Sequence, residues 1–361
     1  MKMVFRWFGE ENDTVTLKQI RQIPGVVGIV WALSAAAGEI WPDEEIYHYK
    51  SLIEGYGFNI DVVESLNVHE DIKLGLPSGE EYIENYKKNI EKLGKAGVRV
   101  ICYNFMPVFD WIRTEFAHPL PDGSAGMFYE SSRINDIDPH RLVTIFSKSA
   151  KDFILPGWDM ERLKHLQKLV EAYSNITEDD LLHNLKQFLE HIMPVCEKYD
   201  VKMAIHPDDP PWSLFGLPRI VRTKEHLRRI LALTESKYNG LALCSGSLGA
   251  NPDNNIPEMI REFGDRIYFA HIRNIKRYDN GDFIECSHRA SDGSLDIVDI
   301  VQAYSDIEFS GYVRPDHGRQ IWDENSRPGY GLYDRALGIM YILGIWDHCE
   351  KVRMVKNDCN K

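Results

Sequence analysis

Eight short apolar runs, most of them followed by an amphipathic segment, recur along this chain of 361 residues. No other feature limits its fold so much. Val4 to Phe8, Val26 to Trp31, Ile60 to Glu64 and Val98 to Phe105 are the first four runs. Val201 to His206, Leu241 to Cys244, Ile267 to His271 and the stretch around Tyr312-Val313 are the second four. Runs of this length read as buried strands, and the segments between them have helix signals. Pro42 with Asp43, Glu44 and Glu45 suits the first turn of a helix. Ser78 with Glu81 matches a capping box, and Gly97 is a stop signal for the helix it opens. Thr177 caps a helix whose Leu181, Leu185, Phe188 and Ile192 share a face, and further helices are expected from Thr223, after Pro257, over 295–303 and over 333–346.

Strands alternating with helices build a parallel sheet covered by helices, and eight units in one chain favour closure into a (β/α)8 TIM barrel. A doubly wound open sheet fits the same alternation. The period breaks between Pro107 and Thr177, where Pro119, the Pro121–Ser124 stretch and Pro156-Gly157 are turn signals and Asp138-Pro139 is a helix start. We therefore expect one domain, 1–361, with a helical insertion over 107–177 after the fourth strand; excursions of that length usually cover or complete a site. An irregular polar stretch runs from Arg277 to Gly293.

Composition narrows the function. Lysine and arginine number 42 against 55 acids, a formal charge of −13, with no basic stripe to follow a phosphate backbone. Nucleic acid is not an expected partner, and no run approaches the ~20 apolar residues of a membrane span. The charged N-terminal stretch from Met1 to Trp7 lacks a signal-peptide pattern and leads directly into a strand. Six cysteines lie far apart, at 102, 196, 244, 286, 349 and 359. That spacing speaks for reduced thiols and a cytoplasmic location.

In a parallel barrel the C-terminal strand ends share one rim, where active sites form. Four consecutive strands end in metal-ligand types there: His206, Cys244, His271 and Asp316. Any one of these could simply finish a turn, and a lone cysteine is usually a small buried apolar residue. Together they point to a metal site. Thiolate and imidazole by themselves suit zinc, whereas an ion accepting five or six ligands, such as Mn²⁺ or Fe²⁺, would keep room for a substrate. Arg6, Asn104, Arg273, Arg314 and Glu64 are candidates for gripping a carboxylate or hydroxyls. His69, His118, Trp31, Trp111 and the Ser287-His288-Arg289 stretch are weaker rim candidates.

Specific strings then identify a relationship. Phe5-Arg6-Trp7-Phe8-Gly9, His69-Glu70-Asp71-Ile72-Lys73, the run from Cys102 to Pro107, Asp110-Trp111, the run from Leu120 to Gly123 and the run from Arg314 to Gly318 resemble the mannonate dehydratase family from the first strand to the last helix. The resemblance implies a xylose-isomerase-like barrel, a divalent metal (Mn²⁺, with Fe²⁺ as the alternative), and conversion of D-mannonate to 2-keto-3-deoxy-D-gluconate in hexuronate catabolism. It places the metal ligands on His206, Cys244, His271 and Asp316. It places an acid/base pair on His317 and Tyr330, with Tyr333 only three residues away. Such a reaction removes a hydrogen beside a carboxylate and expels a hydroxyl, so it needs a cation, a base and a proton donor. We take His317 as base and Tyr330 as donor. A homodimer is expected. The rival readings are a metal-dependent sugar isomerase, epimerase or phosphodiesterase on the same barrel, and a non-catalytic sugar-acid binder.

Overall fold

In the computed structural model, which describes residues 1–135 and 166–359, eight parallel strands close into a barrel. They are β1 (Lys2–Arg6), β2 (Val26–Trp31), β3 (Asn59–Glu64), β4 (Val100–Tyr103), β7 (Lys202–Ile205), β8 (Asn239–Cys244), β9 (Ile267–His271) and β12 (Tyr312–Arg314). Their spatial order follows the chain, and β1 pairs with β12 to close the ring, Lys2 opposite Tyr312 and Met3 opposite Val313. Closure excludes the open doubly wound sheet. Alternation along each strand divides the apolar residues between two cores. Val4, Val30, Val62, Val100, Ala204, Ala242 and Phe269 fill the barrel, while Met3, Phe5, Ile29, Ile101, Met203 and Leu243 face the outer layer of helices. Each fully buried Val, Ile, Leu or Phe contributes roughly 1.5–3 kcal/mol.

The helices follow their signals with some corrections. Pro42 is the N-cap of the helix Asp43–Gly55 rather than a first-turn residue. Ser78 precedes the helix Gly79–Ala96 but makes no capping box, because its backbone is already helical and its hydroxyl donates to Asp71 Oδ2 at 2.6 Å. Gly97 ends that helix at φ 114°, a conformation that suits a residue without Cβ. Thr177 does form a capping box, with Asp180, on the helix Glu178–Tyr199. The last helix, Leu332–Cys359, runs well beyond Trp346.

The segment after β4 opens with strands that its turn signals did not announce. β5 (Glu115–Pro119) and β6 (Ala125–Tyr129) form a hairpin around the Leu120–Gly123 turn. The stretch expected to be irregular supplies β10 (Ile275–Arg277) and β11 (Phe283–Glu285), giving a four-stranded antiparallel sheet in the order β10-β11-β6-β5 beside the barrel. At Gly126 a Cβ would lie 2.4 Å from the Glu285 carbonyl oxygen, so glycine permits that approach. The helix start at Asp138-Pro139 and the turn at Pro156-Gly157 lie outside the described residues.

Candidate active site

The rim residues come together because the register of the barrel aligns them. Glu64 stands opposite Cys102, Cys244 opposite His271, and His271 opposite Arg314. Paired residues on neighbouring strands project to the same face, so these side chains enter one layer at the barrel mouth. His206 follows the last residue of β7. Asp316 lies two residues beyond β12 with φ 59°, where the chain turns sharply enough to bring His317 in behind it.

Three of the four expected ligand side chains, those of His206, Cys244 and His271, place donor atoms within 4.8 Å of one another. Asp316 joins them, with Oδ2 3.3 Å from Cys244 Sγ and Oδ1 3.7 Å from His271 Nδ1. His206 Nδ1 donates to the Pro207 carbonyl at 2.7 Å, which leaves Nε2 with its lone pair 3.2 Å from His271 Nδ1. Burial holds both imidazoles below their ordinary pKa, in the neutral form a metal requires. Cys244 Sγ accepts from Ser247 N at 3.4 Å and Ser247 Oγ at 3.1 Å, an environment that suits a thiolate. Without a cation, burial and then the Asp316 charge push the thiol up to about 12. A divalent ion is the group that would reverse this. The donor set therefore fits one cation. Glu64, Cys102 and His271 also lie within 4.8 Å of one another. The Arg314 guanidinium already occupies their midst, with Nε 3.0 Å from both Glu64 Oε2 and His271 Nε2.

Beside the ligand set lies a cavity of about 190 Å³, whose walls include Arg6, Glu64, Asn104, Trp111, Arg314, His317 and Tyr330. His317 Nε2 is 3.0 Å from the Tyr330 hydroxyl. Burial, the largest influence, pushes the Tyr330 phenol well above its ordinary value, so it is a protonated acid at neutral pH. Tyr333 is 41% exposed and packs against Trp322 away from the cavity. Arg6 is buried and has no carboxylate within 4.0 Å among the described residues. Its guanidinium lies 4.1 Å from the Phe8 ring centre and donates to the Trp7 and Val30 carbonyls. Burial lowers it to about 10. A buried cation without a counter-ion at a cavity wall is a receptor for an anion.

Other candidates stand elsewhere. Arg273, expected to grip substrate, lies behind the cavity with each nitrogen close to a carboxylate oxygen. Nε is 2.7 Å from Asp316 Oδ2, Nη1 pairs with Glu285, and Nη2 pairs with Asp209. Arg314 is likewise tied to Glu64 and, at 2.8 Å, to Asp316 Oδ1, although it borders the cavity. Trp111 packs edge-on against His317 at 5.6 Å. His288 reaches the site indirectly, through a 2.6 Å bond to the Pro315 carbonyl. Trp31 belongs to the core, donating to the Ile60 carbonyl at 3.1 Å. His69 caps the helix Glu70–Lys73, and His118 pairs with Glu115 on β5.

Asp209, Arg113 and Glu285 escaped the sequence reading. Arg113 Nη1 lies 2.8 Å from Asp209 Oδ1, and its Nη2 lies 2.8 Å from Glu285 Oε1. Asp208-Asp209 after the His206-Pro207 strand end was the available hint. Nothing local marks Glu285, on a strand of three residues. Burial opposes ionisation of Asp209, but Arg113 and Arg273 outweigh it and hold the carboxyl well below its usual range.

Comparison with known proteins identifies the family and the fold. The D-mannonate dehydratase (UxuA) family profile matches residues 1–356. "Mannonate dehydratase 1" of Bacillus licheniformis is 60% identical over 362 residues, covering 100% of this chain and 99% of that protein. The crystal structure of mannonate dehydratase from Streptococcus suis superposes with a TM-score of 0.89 at 41% identity, covering 98% of this chain and 96% of that one. A xylose isomerase-like TIM barrel protein from Mycobacterium smegmatis shares the fold, with a TM-score of 0.52 at 13% identity and coverage of 92% and 88%. From the first strand to the last helix, the chain belongs to the mannonate dehydratase family.

Proposed function

We propose that this chain is a metal-dependent hydro-lyase that converts D-mannonate to 2-keto-3-deoxy-D-gluconate and water. The observation that carries the reading is the His317–Tyr330 hydrogen bond, set at a cavity wall beside four convergent metal-ligand side chains. His206, Cys244, His271 and Asp316 would hold the cation. When bound, it supplies an electrophile that draws off the charge developing on the substrate carboxylate as C2 loses its proton. We take the ion as Mn²⁺, with Fe²⁺ the alternative, because an ion with more than four coordination positions leaves some for substrate.

The protein residues do the rest. Arg6, with no carboxylate within 4.0 Å among the described residues, attracts the anionic substrate from the cavity wall, and Asn104 faces its hydroxyls. Glu64 and Arg314 brace each other and line the same wall. His317 Nε2 takes the proton from C2, and the C2–H electron pair becomes the second C2–C3 bond as the C3–O bond breaks. Tyr330 gives its phenolic proton to the departing hydroxyl, which leaves as water. The proton then on His317 passes across the 3.0 Å bond to the Tyr330 oxygen, and both groups return to their starting forms. The enol released picks up a proton at C3 and becomes the 2-keto acid.

In heavy water the product should therefore contain one solvent-derived deuterium, at C3. An isomerase would keep the substrate's mass, an epimerase would return deuterium to the carbon it inverts, and a binding protein would leave mannonate intact. Mass spectrometry after anaerobic incubation with Mn²⁺ or Fe²⁺ decides among them. No loss of water from mannonate would overturn the assignment.

The side sheet brings Glu285 to within 2.9 Å of His317, which supports reading 1–361 as one domain. Tyr333, Leu337 and Met340, spaced along one face of the last helix, are exposed next to exposed Trp322. We propose that this stripe joins two copies as a homodimer; a monomer in sedimentation equilibrium would refute it. No helix among the described residues is long and apolar enough to cross a membrane. The buried free thiols support a reducing, cytoplasmic setting.

A further inference from the structure

The base proposed above does not stand alone. His317 Nδ1 lies 2.9 Å from Glu285 Oε1 while its Nε2 faces Tyr330. Glu285 comes from β11, in the sheet beside the barrel, and is 1% exposed. The same Oε1 receives Arg113 Nη2 at 2.8 Å, Arg113 Nε at 3.2 Å and Arg273 Nη1. Arg113 and Arg273 also pair with Asp209, so two guanidiniums and two carboxylates form a buried set against the imidazole, which Arg273 Nε joins to Asp316 Oδ2 at 2.7 Å. Breaking such a set would leave an uncompensated charge, so the carboxylate is held firmly in place. The other oxygen, Oε2, is buried without a hydrogen-bond partner among the described residues, so the donors described near this side chain converge on the oxygen that meets His317.

We propose that Glu285 is the positioning residue for the catalytic histidine. It accepts the Nδ1–H of His317, keeps the Nε2 lone pair directed at the reacting side of the cavity, and places a fixed negative charge behind the ring when Nε2 takes the substrate proton. This rests on His317 being the base. A carboxylate that orients an imidazole through its far nitrogen sets both the tautomer and the stability of the protonated ring. Glu285 does not line the cavity, and its side-chain partners among the described residues are His317, Arg113 and Arg273 rather than the metal-ligand side chains, so its influence passes through His317 and the two arginines. The need for this carboxylate also accounts for the side sheet's close packing: Gly126 lets β6 approach the backbone of Glu285.

The test uses the metal-loaded enzyme. Glu285→Gln keeps shape and an acceptor oxygen but removes the charge. Its kcat should fall by roughly 10–10³-fold, with KM for mannonate and bound metal close to the parent values. In a His317→Asn background, where only residual turnover is measured, the same change should cost almost nothing, since its target is gone. A merely structural glutamate would lower turnover equally in both backgrounds and would move KM and metal content too; that result overturns the proposal, as does parental kcat in Glu285→Gln. If the glutamine variant does not fold, Glu285→Asp retains the charge that Arg113 and Arg273 require and withdraws the carboxylate by about 1.5 Å. It should show the same selective loss of kcat, and parental kcat there is again fatal. Full activity in His317→Asn would instead show that the base assignment is wrong, which separates failure of that reading from failure of this one.

Discussion

Replacing Tyr330 with phenylalanine removes one oxygen and leaves the ring. The ring is buried, edge-on to Phe8 at 4.7 Å and to His317 at 4.9 Å, and neither contact needs the hydroxyl. Structurally the variant loses a single hydrogen bond, worth about 1 kcal/mol net, and is relieved of burying a phenol, so its melting temperature should shift by a few degrees at most. In the proposed mechanism it also loses the proton donor for the departing hydroxyl. A placed acid contributes roughly 10²–10⁴ in rate, or about 3–5 kcal/mol of barrier. The two magnitudes differ enough for one experiment to separate them. We expect kcat to drop at least a hundredfold, with metal content unchanged and KM within a few-fold of the parent. Turnover is read by mass spectrometry of the keto acid and metal by elemental analysis. Because burial raises the Tyr330 pKa, its acid form persists as pH rises, so the parent should show no alkaline loss of rate from this group below its ordinary value of 10.0. Tyr333→Phe, at an exposed position, should be silent. A Tyr330→Phe enzyme within about threefold of parental kcat, or a crippled Tyr333→Phe, would refute the reasoning.

Three further outcomes are expected. Cys244→Ser replaces the proposed thiolate ligand with a poor neutral one and should lower metal content and activity together while the barrel stays folded; full occupancy and activity would remove Cys244 from the site. Arg6→Met takes away a cation with no carboxylate within 4.0 Å among the described residues, so KM should rise by roughly 10–100-fold, the loss of one charge-assisted contact of about 1.5–3 kcal/mol, and an unchanged KM would refute its proposed role. Acid stability should report on Glu285: burial opposes its ionisation, yet His317, Arg273 and Arg113 lower it from 4.5 to about 2. A depressed carboxylate contributes stability above its unfolded value that is lost as pH falls, here between 4.5 and about 2. The drop in urea midpoint across that window should be shallower in Glu285→Gln than in the parent.

The parts of the site that could be read from the sequence are those set by barrel periodicity. A strand end followed by His206, Cys244 or His271 has one rim to occupy once eight parallel strands close, and Asp316 follows from the next strand. The Tyr330 position came through resemblance, since nothing local separates it from Tyr333; burial does. The placement of Arg273 among buried carboxylates was not legible, because a strand-end arginine looks the same whether it faces substrate or such partners. Its partners, Asp209 and Glu285, come from a loop after β7 and a three-residue strand, neither of which carries a periodic signal. The Ser78 cap failed for a similar reason: its backbone is already helical and its hydroxyl donates to Asp71, and spacing does not register a partner in the preceding helix.

The pocket is built from both ends of the chain. Arg6 and Phe8 follow from β1, Tyr330 from the loop after β12, and Arg335 ties them together by donating to the Arg6 carbonyl at 2.9 Å across 329 positions. Contacts of that separation are the slowest to form and the first to lose local support, because loop-closure entropy opposes them until the intervening barrel has assembled. A chain emerging in order holds Arg6 and Phe8 almost from the start and cannot complete their cavity until the final helix is available. Binding competence therefore arrives with the last segment, and a chain cut short before Tyr312 would keep most of its metal-ligand types yet have no closed barrel to aim them.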